Sequence, residues 1–371
     1  MTSFTSSWER KCVLLLGPSR AAVSGVSTHL NQLFDSQLSK AFVLRQFQVG
    51  SEGLRETSVG KAIRLIVSPL QLLMLVRKSI DIVHINTSLE TKSFWRDLIY
   101  LFIARLVGAR IIYQVHGGSL PAEFFDESDV LTRLLKRVLL IPDAVVLLAH
   151  VEMDAYSAYQ PKARLVHIPN AVDATAYSND WPVGRYDEHP LHLVYIGRFA
   201  ENKGLFEAVQ ALSLLVKKGR NIRLSLAGSG PDDGRLKQLV AELGLSTRVE
   251  MLGPVFDDRK IALLRASHVF VFPTYHREGL PYALLECMAA GAVPVTTRVG
   301  AIPDVMTEGV HGRFVESRDA VGLATVIASL DDDRAGLVRM ALAGSQRIAK
   351  DYSIEKMSRR FGELYSQLSP G

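Results

Sequence analysis

The sequence predicts an α/β protein built from two doubly wound parallel sheets, and three observations carry that expectation. The chain has 371 residues, beyond the size at which one hydrophobic core usually suffices. Short β-branched or Leu-rich runs alternate with longer amphipathic stretches along it, the pattern of successive βαβ units. The alternation pauses once, at DATAYSNDWPVGRYDEHP, residues 173–190, where polar residues, Pro and Gly replace periodicity as they do in a linker.

In the first half the strand candidates are, in order, KCVLLLG, AFVLRQF, DIVHIN, RIIYQVHG, AVVLLA and ARLVHIPN. The helices between them include STHLNQLFDSQLS, VGKAIRLIVSPLQLLMLVRKS, FWRDLIYLFIARLVG and DVLTRLLKRVLLI. After the linker the strands are HLVYIGR, IRLSLAG, VEMLGP, HVFVFPT, VPVTT and the short GRFVE. Their helices are LFEAVQALSLLVKKG, GRLKQLVAELG, RKIALLRAS, YALLECMAAG and others beyond. Sheets of this kind bind ligands outside the C-terminal ends of their strands, so the expected site is a crevice between two such domains.

Composition narrows the function classes. Hydrophobic residues make up 48% and charged ones 22%, with no low-complexity tract and no internal repeat, which excludes a largely disordered chain. The two cysteines, Cys12 and Cys287, sit in apolar runs and read as reduced core thiols of a cytoplasmic protein. No Cys/His pair has zinc-ligand spacing. The run CVLLLG is too short for a signal peptide, and the apolar stretch Leu65–Val76 falls short of the roughly 18 residues a spanning helix needs. The expectation is a soluble or peripherally bound protein. Its net charge of +5 is unevenly placed: Lys61, Arg64, Arg77, Lys78, Lys92, Arg96, Arg105 and Arg110 crowd among apolar residues of the first half. Such a balance invites an anionic partner, the plain alternative being solvated helix faces.

Four stretches carry candidate chemistry. GPSRAAVSGVSTHLNQLF places Gly17 and Gly25 between a strand and a helix N-terminus, where glycine lets backbone approach an anion. It lacks the dinucleotide G-x-G-x-x-G spacing with an acid after the next strand, which argues against a nicotinamide oxidoreductase. YIGRFAENKGLFEAV puts Arg198 and Lys203 in a βα turn, a guanidinium and an ammonium able to clamp a diphosphate. LAGSGPDDG supplies the turn glycines Gly228 and Gly230. In HREGLPYALLECMAAG the strand is expected to end at Thr274 and a helix to start at Pro281, leaving Glu278 in the loop and Glu286 on the helix. Leu284, Leu285, Met288 and Ala289 around Glu286 are apolar, so that carboxylate is not there for solubility. The N–H groups of Gly279, Leu280 and Tyr282 would point at an incoming anion or hydroxyl.

With these stretches in order, the chain resembles a retaining GT-B glycosyltransferase of glycosyltransferase family 4 over nearly its whole length. The resemblance rests on the glutamates Glu278 and Glu286 eight positions apart in REGLPYALLECMAAG, and on GR followed by KG at Gly197, Arg198, Lys203 and Gly204. The IPNAVD turn around Asn170, LAGSGP, and RVGAIPDVMTEGVHGRFVE complete it. It implies two Rossmann-like domains facing each other across a cleft: an acceptor-side domain over 1–180, a nucleotide-sugar domain over 181–355, and a C-terminal helix over 356–371 crossing back to the first.

The resemblance also implies roles. Arg198 and Lys203 hold the donor diphosphate, Glu286 accepts hydrogen bonds from ribose hydroxyls and Glu278 binds hydroxyls of the donor sugar. The amides after Glu278, those of Gly279, Leu280 and Tyr282, support sugar and phosphate. Gly25 lets the first-domain loop approach, and His116, expected in a turn after a strand, stands beside the donor sugar. Two positions depart from the family pattern: Pro281 replaces a frequent second glycine and removes an amide donor, and Ser24-Gly25 replaces Gly-Gly.

The expected function is transfer of a hexose-type sugar from a nucleotide-sugar to a hydroxyl of a glycan or lipid-linked glycan, with retained configuration, in bacterial surface polysaccharide synthesis. No cofactor or metal is expected, because Arg198 and Lys203 can offset charge on the leaving diphosphate and no Asp-x-Asp stands at a strand end. Asp257-Asp258 and Asp331 to Asp333 read as turns. The competing readings are an epimerase or phosphorylase of the same shape and a non-catalytic nucleotide-sugar-binding protein. No nucleic-acid partner is expected. Residues 59–79 are too continuously apolar at Leu70 and Leu72 to Val76 to bury on one face, and their basic flanks suit an anionic membrane surface at the inner face of the cell membrane.

Overall fold

The computed structural model describes residues 10–50, 58–77, 80–178 and 183–369. The chain divides into two compact units, Met1–Asn170 together with Ile354–Gly371, and Ala171–Ser353.

The first unit is built on six parallel strands: β1 (Cys12–Gly17), β2 (Val43–Gln48), β3 (Ile82–Leu89), β4 (Arg110–Gly118), β5 (Ala144–Leu147) and β6 (Leu165–His167). They lie in the order β2-β1-β3-β4-β5-β6. The second unit repeats the plan with β7 (Leu191–Ile196), β8 (Ile222–Ala227), β9 (Val249–Gly253), β10 (Val269–Phe272), β11 (Val293–Thr296) and β12 (Arg313–Phe314), in the order β12-β11-β10-β7-β8-β9. Each of the twelve overlaps a segment expected from sequence, with β2, β4 and β7 running one residue and β3 three residues beyond it. The reason is visible in burial: β1, β5, β10 and β11 are covered on both faces, so their sequences are unbroken apolar runs rather than alternating ones.

In each sheet the first strand of the unit has its successor on one side and a later strand on the other. The winding therefore reverses between β1 and β3, and again between β7 and β10. At such a reversal the crossovers diverge onto opposite faces and open a crevice at the C-terminal ends of the strands.

The helix Ile354–Leu368 packs on the first sheet. The Tyr365 hydroxyl donates to Nδ1 of the β3 residue His84 at 2.8 Å, and Phe361 packs its ring against His29 and His84.

Three expected boundaries move. His116 does not follow β4 but lies within it, because pairing with β3 continues past an irregularity at Thr87/Leu89 as far as Gly118. β10 stops at Phe272, two residues short of Thr274. The helix expected to start at Pro281 runs over Tyr282–Ala289 with Pro281 as its cap, since ψ 124° at Pro281 is extended. Within the expected linker the described residues form a short helix Ala174–Ser178 and a 3-10 stretch Val183–Asp187.

Candidate functional site

The reversal in the second sheet gathers the candidate residues of that unit into two neighbouring loops. The first follows β7. Tyr195 lies fully buried beneath it and its hydroxyl donates to the Arg198 carbonyl at 3.0 Å, which shapes the turn. Arg198 itself is exposed and pairs with no carboxylate of the described residues. Lys203 ends a 3-10 turn, Glu201–Lys203, and Gly204 then takes φ 76°. A Cβ on Gly204 would lie 2.2 Å from the Pro273 carbonyl oxygen, so only glycine lets this loop press against the end of β10.

The second loop follows β10 and is stitched to the first. The backbone N–H groups of Tyr275 and His276 both donate to the Asn202 carbonyl at 3.0 Å. Gly300, at φ 58°, closes on the other side, since a Cβ there would fall 1.8 Å from the Glu278 carbonyl oxygen, and Ala301 N–H donates to Gly279 O at 3.2 Å. Held this way, Glu278 accepts from the Lys203 ammonium at 2.5 Å and from the Thr274 hydroxyl at 3.2 Å, both on Oε1. Lys203 and Glu278 side chains are 17% and 13% exposed, so each needs the other's charge. One hydrogen bond uses one of three ammonium donors, and the rest of Lys203's capacity is left for an anion.

Glu286 is buried on the helix Tyr282–Ala289, as its apolar neighbours foretold, and a buried carboxylate needs a partner. It has one in the Lys260 ammonium at 2.6 Å, from the helix Asp257–Arg265. Tyr177 also approaches it: burial first, then the Glu286 charge, holds that phenol above its ordinary range. Tyr282 is raised by the same two causes. Sequence reasoning found both glutamates but neither Lys260, Tyr177 nor Thr274, whose relation to the glutamates exists only once the helices pack.

In the first unit the reversal lies beside β1, β3 and β4. Gly25 is exposed at the first position of the helix Gly25–Asp35, capped by Ser24, whose hydroxyl accepts from Ser27 N–H at 3.3 Å. Asn86 is 2% exposed and donates through Nδ2 to Leu16 O at 3.1 Å, which turns its carbonyl oxygen toward His116 Nε2 at 2.9 Å. His116 therefore carries its proton on Nε2 and keeps a lone pair on Nδ1. Burial, then the neighbouring His29 and His84, push its pKa well below the ordinary histidine value, so the ring is neutral at neutral pH. His29 packs edge-on to it with centroids 4.9 Å apart, and among the described residues neither His29 nitrogen makes a well-formed hydrogen bond, although the Gln114 side chain lies close enough to act on the ring.

Two six-stranded parallel sheets with these reversals are the fold of GT-B glycosyltransferases. Solved structures of HepE from Anabaena in complex with UDP and with UDP-glucose match over 96% of this chain and 99% of theirs, with TM-scores 0.75 and 0.73 at 16% and 14% identity. Residues 182–347, which lie in the second unit, match the family described as Glycosyl transferases group 1. The phosphatidyl-myo-inositol mannosyltransferase of Mycolicibacterium smegmatis is 30% identical over 55% of this chain and 52% of its own length. The amylovoran biosynthesis glycosyltransferase AmsK of Erwinia amylovora is 26% identical over 48% of this chain and 46% of its own. The chain thus spans about half the length of the curated relatives it matches.

Proposed function

We propose that the protein is a retaining glycosyltransferase that moves a hexose-type sugar from a nucleotide-sugar donor to a hydroxyl of a glycan or lipid-linked glycan. The observation that carries this is the pairing of two cations with two carboxylates at one sheet reversal, Lys203 with Glu278 and Lys260 with Glu286, beside the exposed Arg198. The UDP complexes of HepE support a nucleotide-sugar donor, and the names of AmsK and the mannosyltransferase support a surface-glycan or lipid acceptor.

When the bond from sugar to diphosphate breaks, negative charge grows on the leaving oxygen. Arg198 and Lys203 stabilise it there, the guanidinium by two parallel hydrogen bonds and the ammonium as a point charge. No metal is required in this scheme. Glu278, fixed by Lys203 and Thr274, accepts from donor-sugar hydroxyls, and Glu286, fixed by Lys260, from ribose hydroxyls. The amides of Gly279, Leu280 and Tyr282 support sugar and phosphate. His116 is proposed to accept at Nδ1 from the donor sugar, and Gly25 to leave room for phosphate. The acceptor hydroxyl attacks the anomeric carbon on the face the diphosphate leaves and gives its proton to the departing phosphate oxygen, so the configuration is retained. The location that goes with this reading is the cytoplasm, at the inner face of the cell membrane.

The test is incubation with UDP-, GDP- and ADP-sugars and a glycan acceptor in EDTA, with the anomeric configuration of the product read by NMR. Acceptor-dependent glycoside of unchanged configuration is expected. An epimerised donor would establish an epimerase, a phosphate-dependent sugar phosphate a phosphorylase, and binding without turnover a non-catalytic protein.

A further inference from the structure

Two helices of the first unit leave an apolar face uncovered. Ser58–Val76 exposes Val67, Leu70 and Met74, spaced three and four apart, and Thr91–Leu106 exposes Trp95, Ile99, Phe102 and Leu106, spaced four, three and four apart. Each set is therefore one stripe of its helix. Opposite stripes are buried, with Leu72 and Val76 on one helix and Phe94, Asp97, Tyr100, Leu101 and Ala104 on the other. The continuous run noted in the sequence divides accordingly, with Leu70 and Met74 outside and Leu72 and Val76 inside.

The stripes lie side by side. Crossovers from β2 to β3 and from β3 to β4 proceed the same way across the sheet, so right-handedness places both helices on one face and parallel. The Ser68 hydroxyl hydrogen-bonds Tyr100 OH at 2.7 Å, which sets their register near the middle of each. In that register exposed Lys92 falls at one end and exposed Arg77 and Arg105 at the other. Lys61, Arg64 and Lys78 add to the same segments in sequence. The only acid in either helix, Asp97, is fully buried and bonded to Arg96 and Thr87, leaving Glu90 at the junction before Lys92 as the nearest exposed one.

We infer that this two-helix face docks on an anionic lipid bilayer, with the apolar stripes entering the acyl boundary and Arg77, Lys92 and Arg105 meeting headgroup phosphates. An uncovered apolar face of this kind marks an interaction site. Charge selects the occupant: a second copy set face to face would bring the same cations together, whereas anionic headgroups answer them. Trp95, amphipathic and on the stripe, suits the interfacial layer. The inference deepens the location proposed above and rests on surface residues only, so its failure would leave sugar transfer untouched.

The test is sedimentation of the full chain with phosphatidylcholine vesicles, with and without phosphatidylglycerol, alongside tryptophan emission. Wild type is expected to sediment only with phosphatidylglycerol, less so as salt rises, with a blue-shifted emission that Trp95→Phe loses. Arg77→Gln/Arg105→Gln should lower the partition coefficient about 5-fold per charge removed. Ile99→Ser/Phe102→Ser should abolish binding with an unchanged circular dichroism spectrum. Wild type staying in the supernatant with phosphatidylglycerol at low salt would overturn the inference. So would a dimer in sedimentation velocity that Ile99→Ser/Phe102→Ser dissolves while vesicle binding is absent.

Discussion

At the reversal of the second sheet the polar groups are charged and paired, Lys203 with Glu278 and Lys260 with Glu286; at that of the first they are neutral, with Asn86 holding His116 and His29 packed edge-on against it. Both sheets are six-stranded and parallel and reverse beside their first strand, though their strand orders differ, and the loops at the two reversals carry different chemistry. Paired charges keep cations ordered where the proposed diphosphate would bind, at the cost of burying them. Neutral imidazoles keep a polar, orientable surface without adding charge, and burial keeps them neutral. A phosphate-bearing ligand should therefore depend on the second unit's charges, and acid sensitivity should arise from buried histidines.

The largest expected effect breaks the charged side. Arg198→Ala and Lys203→Ala should each reduce donor kcat/KM by about 1.5–3 kcal/mol, the range of a charge-assisted hydrogen bond. They should differ in stability. Arg198 is exposed, so its loss should leave Tm unchanged, whereas Lys203→Ala strands the half-buried Glu278 and should lower Tm. Adding Glu278→Gln to Lys203→Ala should restore part of that Tm, which calorimetry would show. Equal Tm for all three variants would mean the pair carries no energy.

Next come the glutamates themselves. Glu286→Gln should raise donor KM about tenfold with little change in kcat, because ribose contacts are remote from the reacting carbon, and Lys260→Met should follow it. Glu278→Gln should lower kcat. Steady-state kinetics in which both glutamates altered only stability would reduce the pair to helix architecture.

The neutral side is tested by pH. Burial lowers the pKa of His29 to about 4 and of His84 to about 3, from an ordinary 6.5. Between those values the unfolded chain binds more protons than the native one, so stability is full above about pH 6.5 and is lost as pH falls toward 4. Each such histidine contributes a slope of about 1.4 kcal/mol per pH unit in that window. His192 and His268 in the second unit, each lowered to about 4 chiefly by burial, act in the same direction. His29→Leu should remove one histidine's slope and, by deleting a buried ring whose nitrogens make no well-formed hydrogen bond among the described residues, raise Tm at pH 7. Unfolding titrations with the same slope in wild type and variant would refute the assignment. The smallest effect should be Tyr177→Phe, which removes a hydroxyl beside Glu286 and should cost about 1 kcal/mol in Tm-derived stability or donor affinity.

How much of this was legible in the chain follows from where the information sits. Strands buried on both faces, such as β1, β5, β10 and β11, are apolar runs that can be read locally, whereas the part-buried β2, β6 and β12 show through their β-branched and aromatic residues between turn signals. The residues around Glu278 and Glu286 were found because their types are out of place beside an apolar helix. The partners were not: Lys260 lies 26 residues from Glu286, and only packing of two helices brings its ammonium there. The segment RIIYQVHG ends one residue short of β4, but His116 was expected in a turn because the glycines after it signal one, while the ladder with β3 continues through them. Likewise Thr91–Leu106 reads as a helix between two strands, and that its stripe of Trp95, Ile99, Phe102 and Leu106 is left exposed by the described residues shows only in the folded unit.

The central claim, that the charged reversal of the second sheet binds a nucleoside diphosphate, is tested most directly by titration calorimetry of UDP, GDP and ADP into wild type and Arg198→Ala. At least one nucleotide should bind wild type and lose about 10-fold or more in Kd with Arg198→Ala, at unchanged Tm. Failure of all three to bind wild type, or identical Kd values in both proteins, would contradict it.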